Sequence, residues 1–287
     1  MNNSTETPHD PIRDLEDLAI HNFDENFWLK KSVILKDLLD NEEKRKGLLG
    51  EKDSTRFLLF ELYSTKIHCC ETLLRILILT KKNYFRPLVP LIRLSFNKFH
   101  KEVEQMQENL EQYLGNSNKF FKDNFYPFPK LEKEKVDESI KFLKGAIPKI
   151  ISEYSDHGAY NVFKHGFYGS VSKDASITIE EGKIPIGKAP NVITWYEIEP
   201  YLDHHKLHQK NKAISPERES NIIKICTSIL SQLYKMKRAQ LNKSTEATIS
   251  FFNDIDLNKI FGIYNYDNTS LAKFDFTYEI TLPEEFP

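Results

Sequence analysis

The sequence predicts a mainly α fold of the α+β kind: a bundle of four to five long helices with a small antiparallel β-sheet appended after residue 166 and at the C-terminus. Three observations carry this. Apolar residues recur at helical spacing through most of 55–165, the period turns strand-like beyond Gly166, and Ser215-Pro216 opens another long helical stripe. The chain divides accordingly into an N-terminal tail with short helices (1–54), a helical core (55–166), and a sheet with one long helix packing on that core (167–287).

Residues 1–11 are polar, without the basic-then-apolar order of an export signal. Apolar clusters at Phe27-Trp28-Leu29 and Val33-Ile34-Leu35 fit one or two short helices over 12–39, and the charged stretch 41–53, with Gly47 and Gly50, reads as a loop. From 55 to 80 the chain is apolar almost all round, so this helix should be central. Its polar residues Glu61, Thr65, His68, Thr72 and Arg75 recur at steps of four and three and form one stripe, read as a solvent-facing or ion-paired seam, or as the wall of a polar cavity. A second helix is predicted over 88–114. The aromatic-rich stretch 119–130 reads as a loop strapped over the core, with base stacking as the alternative use. A third helix spans 131–146, and Pro148 marks a kink or break before a helical run over 149–165.

Four short strand-like runs follow, 167–171, 176–180, 183–186 and 192–198, with Glu181-Gly182 as a hairpin turn. After a charged connection, Ser215 caps a helix running to about 241, and the tail offers two further strands, 260–266 and 274–282.

Forty basic residues against forty-two acidic ones give a net charge of −2, which excludes a surface that is basic throughout but allows a local basic patch. Three cysteines, Cys69, Cys70 and Cys226, form neither a disulfide framework nor a zinc spacing, and read as reduced core thiols of a cytoplasmic protein. The most apolar run, 67–79, is too short and too polar for a membrane span. His204 and His208, four apart beside Asp203, could hold a metal if helical, but their charged surroundings favour a solvated loop. No cofactor motif and no DNA-specific motif occurs, and no metal is expected.

The side chains best spaced for chemistry lie in 156–169. Asn161 and His165 are four apart, so a helix puts them on one face with β-carbons roughly 6 Å apart. Tyr160 and His157 flank that face, Lys164 adjoins the histidine, and Gly166 should end the helix in the left-handed region. Tyr160-Asn161-Val162-Phe163-Lys164-His165 resembles the signature of the HEPN superfamily, the higher eukaryote and prokaryote nucleotide-binding domains. There an arginine is followed at once by a polar residue and, after three more, by histidine. Asn161 and His165 match, whereas Tyr160 stands where the arginine should be.

The resemblance implies homodimers with paired sites and, in many members, metal-independent cleavage of RNA. His165 and Asn161 would then be the catalytic residues, with Tyr160, Lys164 and His157 in binding roles. A histidine can exchange a proton with the ribose hydroxyl, but cleavage also needs a fixed cation at the phosphate, which tyrosine does not supply. The expectation is therefore a non-catalytic HEPN-like module that binds RNA, a nucleotide or a protein partner, and the resemblance implies a link to a defence or toxin system. A metal-independent ribonuclease using His165, and an interaction or structural protein whose motif merely finishes a helix, are the alternatives.

Overall fold

Among the described residues, helices dominate the first half of the chain, and the second half holds a meander of four strands with one long and one short helix. The structure, a computed structural model, describes residues 11–50, 54–82, 86, 88–155, 160, 169–179, 184–201, 204–244, 247–252, 256–261 and 273–280.

Two short helices, α1 (Pro11–Asn22) and α2 (Phe27–Asp40), match the expectation for the N-terminal segment. The stretch read as a loop instead holds helix α3 (Glu42–Leu49). Its Asn41 side chain accepts from the Lys44 amide, Glu42 and Glu43 complement the positive end of the dipole, and Gly50 ends it at φ 77°. Local caps outweigh the polar composition there.

Helix α4 (Ser54–Lys81) is the long apolar helix expected. The single helix expected over 88–114 is three: α5 (Leu88–Arg93), α6 (Phe96–Glu108) and α7 (Leu110–Leu114). Ser95 and Asn109 adopt extended backbone at the two breaks, and the Asn109 side chain caps α7 by accepting from the Gln112 amide. The aromatic stretch 119–130 is likewise corrected from loop to helix as far as Phe125, and 126–130 is non-helical as expected. Gly115 (φ 78°) stops α7, and Asn116 caps α8 (Ser117–Phe125), whose Phe121 and Phe125 are buried with Tyr126 beyond them.

Helix α9 (Lys133–Ser155) runs unbroken through Pro148. The proline costs one backbone hydrogen bond, but Leu143, Ala146, Ile147, Ile150 and Ile151 are buried on either side of it, and that packing holds the helix together. Tyr160 is helical. His157, Asn161, Lys164, His165 and Gly166 lie outside the described residues.

The sheet is a four-stranded antiparallel meander in the order β1 (Gly169–Ile179), β2 (Ile184–Tyr201), β3 (His204–Ala213) and β4 (Lys273–Ile280). Four expected runs merge into two long strands, with a register irregularity at Ile177/Thr178. Strand β3 occupies what was read as a charged connection. It pairs Leu207 with Ile198 of β2 and with Tyr278 of β4, so the tail does extend the same sheet. The other tail candidate is corrected at Ile260 and Phe261, which belong to helix α11 (Leu257–Phe261); the rest of it and the hairpin turn at Glu181-Gly182 lie outside the described residues. Helix α10 (Pro216–Leu241) starts as expected, with the Arg218 amide donating to Ser215 Oγ at 3.3 Å. The fold is thus mainly helical with a small antiparallel sheet, and no described helix is long and apolar enough to cross a membrane.

The chain forms two compact units, each assembled from separated segments. One comprises Met1–Phe27, Glu71–Ile151 and Cys226–Ile255; the other comprises Trp28–Cys70, Ser152–Ile225 and Asp256–Pro287. The first has an aromatic and aliphatic core that includes Phe99, Met106, Phe121, Phe125, Ile147, Leu230 and Phe252. The core of the second includes Leu58, Leu62, Tyr63, Ile67, Val192, Ile193, Trp195 and Ile222, and it contains a group of charges.

Candidate functional site

Helix α4 carries one seam with several uses. Glu61 pairs with Lys31 at 3.0 Å, and the Thr65 hydroxyl donates to the Glu61 carbonyl at 2.6 Å. Further along, Arg75 bonds Glu71 at 2.7 Å, donates to the Leu94 carbonyl at 3.2 Å and lies 4.1 Å over the Phe99 ring. These contacts are the ion-paired seam the spacing allows.

His68 differs from the rest of the stripe. It is exposed, and its Nε2 lies 2.5 Å from the Tyr160 hydroxyl, with the rings edge-to-face at 4.9 Å. The position at which the motif would carry its arginine therefore presents a phenol held by an imidazole. Of the motif residues only Tyr160 is described, so the spacing of Asn161, Lys164, His165 and His157 around it lies outside the described residues. The pair can donate and accept hydrogen bonds and offers two aromatic faces, but it is not a permanent cation.

Two residues before His68, helical geometry turns the side chain about 200° away, into the core of the unit. There Lys66 is fully buried, with its ammonium 2.9 Å from Glu153 of α9 and 2.8 Å from Glu219 of α10. Arg218 pairs with the same two carboxylates, with Nη2 against Glu153 and Nη1 3.3 Å from Glu219, and donates to the Phe261 carbonyl at 3.2 Å. Lys66 and Lys212 also lie 4.7 and 5.5 Å from the Tyr63 ring centre. Burial alone would push the Lys66 pKa down, yet Glu153 and Glu219 outweigh it and hold the ammonium well above the ordinary lysine range. Burial would raise Glu153, and Lys66, Arg218 and Lys212 together hold it far below the usual carboxylate range. Lys66 and Arg218 each pair with both carboxylates, which is how these charges are held inside the unit. Sequence reasoning passed over this cluster. The available signal was Lys66 itself, standing on a helix face whose neighbours Leu62, Tyr63, Cys70 and Leu73 are all apolar.

The histidine pair is corrected in kind. His204 and His208 lie on strand β3, neither helical nor in a loop, and four residues of strand span roughly 13 Å, too far to share a metal. Among the described residues, no three histidine, cysteine, aspartate or glutamate side chains gather as a metal site. Cys69, Cys70 and Cys226 are buried and form no disulfide, as expected of core thiols.

No known protein family, no curated protein and no solved structure matches this chain.

Proposed function

We propose that the chain is a HEPN-like binding protein of the cytoplasm that takes RNA, a nucleotide or a protein partner at the Tyr160 position without cutting RNA, and that it works as a homodimer joined through the face bearing Asn161 and His165. The observation that supports a silent site is the Tyr160–His68 hydrogen bond. A phenol and an imidazole in edge contact can stack on a base and bond to it. Stabilising the charge that develops on a scissile phosphate calls for a fixed donor, and loss of one commonly costs about 100- to 1,000-fold in rate.

The test is a cleavage assay on single-stranded RNA with and without a chelator. The unmodified protein should leave RNA intact over hours. Tyr160→Arg should produce chelator-insensitive cleavage that His165→Ala abolishes. Cleavage by the unmodified chain that depends on His165 would replace the silent site with a ribonuclease. If neither form cuts or binds RNA and His165→Ala changes only thermal stability, the motif is a helix-terminus feature. A monomer in light scattering at micromolar concentration would count against the dimer.

A further inference from the structure

The first unit contains an open cleft of about 820 Å³ lined from α8 by Lys119, Lys122 and Asp123 and from α9 by Asp137, Lys141 and Lys144, with Asn116 and Asn118 at the start of α8. Ile140 is the only apolar residue in that lining. Asp123 and Asp137 stand one turn from Lys119 and Lys141 on the same helices, the spacing at which ion pairs form, yet Lys119, Lys122 and Lys141 make no ion pair among the described residues. Lys144 is held at the rim, donating to Asn118 Oδ1 at 3.2 Å and lying 3.5 Å from Glu111. The segment 116–149 carries eight lysines against five carboxylates, so a chain that is negative overall is locally positive here.

We infer that this cleft binds the sugar–phosphate backbone of a single-stranded polynucleotide, independently of sequence. Its lining favours that ligand over two other classes of anion. A lining with one apolar residue cannot bury the body of a small organic ligand, because such sites are mostly apolar. A phosphopeptide or a single phosphate is gripped best by arginine forks, and no arginine lines the cleft. Two lysines three residues apart on each helix instead set point charges in rows along both walls, which suits the repeating charge of a backbone. The inference rests on the first unit alone. It stands whether or not Tyr160 marks a HEPN-like site.

Fluorescence anisotropy of the full chain with a labelled single-stranded RNA of about a dozen nucleotides, a length within the usual site sizes, tests it. Affinity should fall steeply with salt, the logarithmic slope approaching about −3 for four lysines on a single strand. The charge reversals Lys119→Glu/Lys122→Glu and Lys141→Glu/Lys144→Glu should each weaken binding at least about tenfold at low salt and flatten the slope by about one or more. Lys122→Gln/Lys141→Gln, which removes charge without adding any, should do the same to a smaller degree and serves if a reversal disturbs folding. The inference is overturned if RNA does not bind at low salt, if these variants bind as the parent does, or if a phosphoserine peptide of equal charge competes as well as RNA. Binding lost in Tyr160→Phe but kept in all the lysine variants would place RNA at the Tyr160 position and likewise overturn the cleft.

Discussion

Lys66 and Lys237 are both buried, one in each compact unit, and their surroundings drive them in opposite directions. Lys66 sits between Glu153 and Glu219 and is held more basic than an ordinary lysine. Lys237, on α10 in the other unit, is pushed down to about 8 by burial. Burial disfavours the charged form in both places, and what differs is that Glu153 and Glu219 outweigh it at Lys66 whereas it prevails at Lys237. The second unit therefore buries a cluster of opposed charges around Lys66, whereas at Lys237 in the first unit burial is the effect that prevails.

The largest test of this contrast is Lys66→Met. Removing Lys66 leaves Glu153 and Glu219 buried with one fewer cation beside them, so unfolding by urea should show a loss of about 3–5 kcal/mol. The acid limb sharpens the point. Glu153 titrates lower when folded than its ordinary 4.5, so its stabilisation is complete above that value and is lost as pH falls below it. Glu153→Gln should lower stability at neutral pH and remove that part of the acid dependence. A Lys66→Met protein as stable as the parent would show that the cluster's charges merely cancel their own desolvation.

Lys237→Met should act the other way. A lysine with a depressed folded pKa carries its full penalty below about 8, and the penalty lifts between about 8 and 10.5 as the folded state sheds a proton that the unfolded chain keeps. Parent stability should therefore contain a component rising with pH across that window. The methionine variant should lack the rise and be more stable at neutral pH by on the order of 1–3 kcal/mol. A stability loss at pH 7 in Lys237→Met would mean that its bonds outweigh its desolvation.

What the sequence revealed follows from the range over which each cause acts. Helices α4 and α10 were legible because apolar periodicity is written into consecutive residues. Helices α3 and α8 were hidden by charged and aromatic composition, although Asn41, Gly50, Gly115 and Asn116 supplied their stops and caps. Strand β3 was hidden because its polar side chains conceal a ladder whose partners come from β2 and β4. At the candidate site, His68 and Tyr160 each stood out, one on a polar stripe and the other in the motif. Their contact joins residues 92 apart, which no local pattern encodes. The Lys66 cluster was illegible for the same reason, since its carboxylates arrive from α9 and α10.

The smallest effect belongs to the neutral bonding of the first unit. Residues 247–252 form no helix or strand, so their backbone groups must find other partners. The Ser250 amide donates to Gln232 Oε1 at 2.9 Å, the Ser250 carbonyl accepts from Tyr126 at 3.3 Å, and the Phe252 amide donates to Ser139 Oγ at 2.9 Å. Phe251 and Phe252 stack on Tyr126 and Phe142, which closes this segment over its unit. Burial pushes the Tyr126 phenol up to about 12, so it remains a donor at any ordinary pH. Ser139→Ala keeps the packing nearly unchanged and leaves the Phe252 amide without its oxygen. That should cost about 1–2 kcal/mol, with no dependence on pH or salt because no charge is involved. Urea unfolding at low and high salt measures this directly. A salt-sensitive loss, or one as large as that of Lys66→Met, would erase the distinction between the charged cluster at Lys66 and the neutral bonds at Ser139.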